Sequence, residues 1–140
     1  MLDLAAKIKT YAATLVSFVV IDVIWLLLVA SPMFKRDVGP LLRDQPDLVA
    51  AAAFYVIYAF GLVALAVAPA VARQSTVAAL YSGAIVGLTA YATFDLTALA
   101  ILKGWTFQLA LIDMAWGTLS SALAACVGAI VGLRTAGTAP

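Results

Sequence analysis

Histidine is missing altogether from the 140 residues of this chain. Its absence excludes His-ligated haem, His-rich zinc or di-iron sites, and any catalytic triad built on an imidazole. Cysteine occurs once, as Cys126 within an apolar run, so no disulfide can close inside the chain and the thiol reads as a small buried hydrophobe. Charge is scarce as well. Asp, Glu, Lys and Arg together make 11% of the residues, whereas soluble domains carry about 25%. The basic residues are dispersed and the formal net charge is +1, which leaves no clustered face for phosphate backbones and removes nucleic acid from the expected partners. No cofactor is expected. Mg²⁺ would need more than scattered carboxylates, and neither an Asp-x-x-x-Asp pair nor a phosphate-binding lysine motif is present.

Apolar surface is what the chain has in abundance, at 66% hydrophobic residues. Four runs, residues 11–30, 48–69, 77–102 and 107–133, reach or exceed the ~20 residues that cross a hydrocarbon core. Lipid offers no partner to a bare backbone, and the runs lack the alternation of barrel strands, so helix is the expected form. The expectation is an all-α, polytopic integral membrane protein with one membrane domain over residues 1–140. It would be an antiparallel bundle of four transmembrane helices with a surface-lying loop between helices 1 and 2. That loop, residues 31–47, carries Pro32, Pro40 and Pro46 among charged side chains. The links at 73–76 and 103–106 are short, which makes sequential helices antiparallel neighbours. Residues 134–140 have nothing to bury and are expected to fray. The first run follows Lys7 and Lys9 and ends in Val29-Ala30-Ser31, like a secretory leader, but it is too long for a leader's apolar core and contains Asp22. It reads as a retained helix. Basic residues divide evenly between the two faces, Lys7, Lys9, Arg73 and Arg134 against Lys35, Arg36, Arg43 and Lys103, and the first helix tips the balance towards cytoplasmic termini.

Inside these runs stand three aspartates, Asp22, Asp95 and Asp113. Each costs roughly 2.5–3.5 kcal/mol to insert at mid-membrane unless paired, protonated or wet. Two of them open the same tetrad, Asp22-Val23-Ile24-Trp25 and Asp113-Met114-Ala115-Trp116. In an antiparallel bundle all three fall roughly 10–13 Å from one membrane face, at 1.5 Å rise per residue. Tyr55 and Tyr58 enter from that face to a similar depth, and Thr97, Trp25 and Trp116 complete a candidate polar layer. The candidate catalytic residues are Asp22, Asp95 and Asp113, and the candidate substrate-binding residues are Trp25, Tyr55, Tyr58, Thr97 and Trp116. A plainer account makes the carboxyls and phenols an interhelical clasp, the tryptophans interfacial anchors, and Tyr11, Tyr81 and Tyr91 packing or belt residues.

The other half of the bundle is built of small residues. Gly83-Ala84-Ile85-Val86-Gly87-Leu88 recurs as Gly128-Ala129-Ile130-Val131-Gly132-Leu133. Each copy is a G-x-x-x-G, a spacing that lets membrane helices approach closely. In an antiparallel arrangement the two copies share a depth and could meet. Gly117, Ser121 and Ala124 extend the same stripe of helix 4, so Gly83, Gly87, Gly117, Gly128 and Gly132 are the expected packing glycines. In so apolar a composition the repeat is weak evidence of an inverted duplication.

Phe54-Tyr55-x-x-Tyr58, Ala90-Tyr91-Ala92-Thr93-Phe94-Asp95-Leu96-Thr97, Lys103-Gly104-Trp105 and Asp113-Met114-Ala115-Trp116-Gly117-Thr118, with the early Asp22-x-x-Trp25, carry a resemblance. From Tyr11 to about Leu133 the chain resembles domain of unknown function 2177, a family of small bacterial membrane proteins. That resemblance implies a four-helix protein of the bacterial inner membrane. The family's first loop often has a His after its glycine; here the pair is Gly39-Pro40, so no role for that His carries over.

Three kinds of function are compatible with the pattern. One is a site for a lipid or other amphiphile, with tails between helices and the aspartates at the polar end. Carboxyls this close repel if all are ionised, so one is expected to keep its proton and serve as general acid beside a base. Another is an accessory or structural subunit that joins a homo-oligomer or a larger membrane complex through its small-residue faces. A proton-coupled carrier ranks behind both, because the aspartates gather towards one face instead of forming a relay.

Overall fold

The computed structural model describes residues 3–137, and four helices account for nearly all of them. α1 runs Leu4–Leu41, α2 Leu48–Ala72, α3 Thr76–Ile101 and α4 Phe107–Ala136, and each is long and apolar enough to cross a membrane. Every helix starts on a side-chain cap: Asp3 accepts from the Ala6 N–H, Asp47 from those of Val49 and Ala50, Ser75 from Ala78 and Thr106 from Leu109. Such caps take up N–H groups that the first turn leaves open. Asp3 is why α1 begins before the apolar run does.

The segment expected as a loop is largely helix. α1 continues through Ser31–Val38 and closes in a short 3-10 turn, Gly39–Leu41, so only residues 42–47 form an irregular link. Pro32 would ordinarily break the helix through its missing N–H and its clash with the carbonyl four residues back. Here the turn before it widens: Leu26–Ala30 is π-helical and the Ser31 N–H donates to the Leu26 carbonyl, five residues back. α2 repeats the device, with a π-helical turn at Val63–Val67 and an Ala68 N–H to Val63 carbonyl bond just before Pro69. Widened turns of this kind take up residues that the regular ladder cannot seat. At the other terminus α4 stays helical through Arg134, Thr135 and Ala136, where fraying was expected, and Gly137 ends it. Residues 138–140 of the expected frayed tail lie outside the described residues.

α4 is the central helix and touches the other three. Its most extensive contact is with α3, followed by α1. Over Leu4–Trp25 of α1 the buried positions are Ala6, Thr10, Thr14, Phe18 and Asp22, spaced every fourth residue. That spacing draws one narrow stripe down the helix. The stripe meets α4 glycines: Thr14 lies over Gly128 and Thr10 over Gly132, with Val67 and Val71 of α2 closing in beside them. Gly83 and Gly87 of α3 face Gly117, Ser121, Ala122 and Ala125 of α4. All five expected packing glycines therefore sit at close approaches, yet the two G-x-x-x-G copies do not meet. A helix with three neighbours spreads its small residues among them, and the α4 copy serves α1 and α2. Hydroxyls within the bundle turn back on their own helices, as in Thr10 to the Ala6 carbonyl and Thr14 to the Thr10 carbonyl, which spares them an unpaired burial.

Candidate functional site

Antiparallel packing of α1 on α4 brings the two Asp-x-x-Trp tetrads together in opposite directions. Trp25 and Trp116 stack with ring centroids 4.5 Å apart and planes 6° apart. Each indole then faces the other helix's aspartate. The Trp116 N–H donates to Asp22 Oδ1 at 3.2 Å. Trp25 faces Asp113 in the same sense, but its buried N–H makes no hydrogen bond of good geometry. The second oxygen of Asp22 accepts the Tyr55 hydroxyl of α2 at 2.7 Å. Both Asp22 oxygens are thus spent on neighbouring helices.

Asp95 is different. It is fully buried, and neither of its carboxyl oxygens has a well-formed hydrogen bond. The Asp113 carboxyl and the Trp105 indole are the polar groups turned towards it, and the buried Trp105 N–H likewise makes no hydrogen bond of good geometry. Asp113, itself buried, is within electrostatic reach of both Asp95 and Asp22. The layer is therefore a row, with Asp22 at one end, Asp113 between and Asp95 at the other. Among the described residues the three carboxyls do not converge into a cluster able to hold a metal ion.

A short cover lies over the Asp95 end. Trp105, from the α3–α4 link, meets Phe34 of α1 edge-on at 5.6 Å and Phe94 of α3 at 5.4 Å. The link is fastened by the helical extension of α1: Thr106 donates to Asp37 Oδ2 at 3.0 Å, and Gly104, with φ of 89°, packs against the Asp37 carbonyl. Arg36 holds the same carboxylate through its Nε at 2.6 Å.

Beneath the row sits an aromatic floor. Phe18, fully buried, lies 4.9 Å from Tyr58 and 6.0 Å from Tyr55, centroid to centroid. Tyr58 shares a 2.7 Å hydrogen bond with Ser121 of α4. Tyr91 lies over Gly117, where any side chain would strike its ring, and within electrostatic reach of Asp22 and Asp113.

Of the residues expected in the layer, the structure brings together Asp22, Asp95, Asp113, Trp25, Trp116, Tyr55 and Tyr58. Thr97 is not among them; it is exposed on the far side of α3. Two residues on from Asp95 is about 200° around a helix, so the two cannot share a face. Trp105 and Tyr91 belong to the layer although the sequence marks them only as anchor and packing residues. The signal for Tyr91 is its position four residues before Asp95, the same spacing that sets Gly117 after Asp113. For Trp105 there was none, since its place follows from how α1 extends.

Residues 7–130 match the family described as "Predicted membrane protein (DUF2177)". The chain belongs to that family. No curated protein and no solved structure matches it. Membership in DUF2177 and the four apolar helices agree on a membrane protein of all-helical fold.

Proposed function

We propose that this DUF2177 protein, in the bacterial inner membrane with both termini cytoplasmic, holds the polar end of an amphiphile at Asp95 and Asp113 and exchanges a proton with it. One observation carries the reading: two acceptor oxygens on Asp95 and two indole donors, on Trp25 and Trp105, are buried in one layer without good partners. Buried polar groups in folded proteins are nearly always paired, and an intramembrane acid left open marks a site. The partner that answers both sets of groups must accept from N–H and donate to a carboxyl oxygen. A hydroxyl does both, so the substrate class is a hydroxylated amphiphile. Adjacent carboxyls that share one proton supply a donor and an acceptor side by side, as acid–base exchange with a hydroxyl requires. Its tail would lie along the exposed Phe94 and Leu96 beside Asp95.

Asp22 favours a second reading for its own part of the row. With both oxygens bonded to other helices it is a clasp, and a protein built only of clasps would be an accessory subunit of a larger membrane complex. Native mass spectrometry with lipid extraction on wild type and Asp95→Asn/Asp113→Asn separates the two. A defined hydroxylated amphiphile retained by wild type and lost from the variant supports the site. Equal, nonspecific lipid in both, with a second protein retained, supports the accessory subunit.

A further inference from the structure

At the end of the bundle remote from the aspartates, α1 and α2 part around a groove of about 810 Å³. Pockets of roughly 300–1,000 Å³ bury most of a drug-sized ligand. Its walls are apolar, with Ile8 and Phe60 largely exposed to the surroundings of the bundle. At its mouth stand Lys7, the one charged side chain of the lining, and Gln74. Gln74 is placed there by a left-handed backbone, φ 53°, which ends α2 while the Ser75 N–H reaches back to the Ala70 carbonyl.

The charge around the mouth is predominantly basic. The start of α1, the α2–α3 link and the end of α4 share this face of the bundle, and they carry Lys7, Lys9, Arg73 and Arg134. Asp3 is the sole described acid there, and its side chain is taken up in capping α1. The ion pairs found among the described residues, Arg36 with Asp37 and Arg43 with Asp47, both lie on the opposite face. Thus, among the described residues, four basic side chains share this face with one carboxylate, and none of the four is found in an ion pair.

We infer that this groove is a binding site for an anionic phospholipid, with an acyl chain between α1 and α2 and the phosphate at Lys7 and Gln74. It is separate from the Asp95 layer and stands whether or not that layer handles an amphiphile. The occupant follows from pairing an apolar groove open to the membrane with a mouth whose charge is in basic surplus. A second copy of the chain would bring the same four cations against themselves.

The test is native mass spectrometry of the full chain from nanodiscs holding equal phosphatidylglycerol and phosphatidylcholine, with Lys7→Gln, Ala72→Trp and Lys103→Gln beside wild type. Wild type is expected to retain the anionic lipid over the zwitterionic one by about fivefold, the worth of one basic side chain at an anionic surface. Lys7→Gln should bring the ratio near one. Ala72→Trp, an exposed position filled into the groove, should lower retention of both lipids. Lys103→Gln, on the other face, should change nothing. Equal retention of the two lipids by wild type overturns the inference. So does an equal loss of preference in Lys103→Gln, or a lipid-free dimer that Ala72→Trp dissociates.

Discussion

Trp116 donates to Asp22 across the α1–α4 interface at 3.2 Å, while its ring lies flat on Trp25. The stack holds the two tetrads in register and the hydrogen bond fixes their direction. Stacking and bonding are separable by substitution. Trp116→Phe keeps an aromatic face and leaves Asp22 Oδ1 open; Tyr55→Phe does the same for Oδ2. Each should destabilise the bundle by about 0.6–1 kcal/mol, the usual worth of a hydrogen bond between membrane helices. Unfolding in mixed micelles with a double-mutant cycle measures it. Trp25→Phe, whose indole forms no good hydrogen bond, should cost less than Trp116→Phe.

Glycines at the α3–α4 seam should tolerate no side chain. A Cβ at Gly87 would run into the Gly117 carbonyl and sit 2.7 Å from Ser121, and one at Gly117 would strike the Tyr91 ring. Gly87→Ala should therefore destabilise by about 1–3 kcal/mol, the common penalty for overpacking. Gly61→Ala is the control, because nothing lies within 4 Å of the added methyl. The two variants, compared by thermal aggregation in detergent, should differ clearly, with Gly61→Ala at or above wild type.

Thr106 has two tasks, capping α4 at the Leu109 N–H and holding the α3–α4 link to Asp37. Thr106→Ala should cost about 1 kcal/mol through the lost cap alone. It should also loosen Trp105 over Asp95, which a fluorescent quencher confined to water would report as greater access to one of the three indoles. Thr106→Ser, which retains both hydrogen bonds, should restore the wild-type quenching.

Much of this is legible in the sequence. Run length alone gives four helices, and antiparallel order alone sets Asp22, Asp95 and Asp113 at one depth. The stacking of Trp25 on Trp116 was not legible, although the repeated tetrad pointed to the right residues. Pro32 beside charged residues reads as a loop, while the π-helical turn that seats it in α1 depends on backbone geometry that no residue pattern announces. With α1 extended, Phe34 and Asp37 reach the α3–α4 link, and so Trp105 becomes part of the site. Thr97 shares the depth of the layer but, two residues on from Asp95, not its face of α3. The two G-x-x-x-G copies share a depth and so could meet, but which neighbour a helix face meets depends on rotation about its axis, and depth is blind to that.

A hydroxyl bound in the proposed site would engage the Trp25 and Trp105 indoles and leave Trp116, already bonded to Asp22, untouched. With three tryptophans in the chain, the indole N–H resonances of ¹⁵N-labelled protein report on each separately. Titration of delipidated protein in nanodiscs with a long-chain primary alcohol should shift the Trp105 and Trp25 signals saturably and leave Trp116 in place, and Asp95→Asn should abolish the shift at Trp105. Signals of Trp25 and Trp105 that stay fixed, or all three indoles drifting together without saturation, would contradict the account.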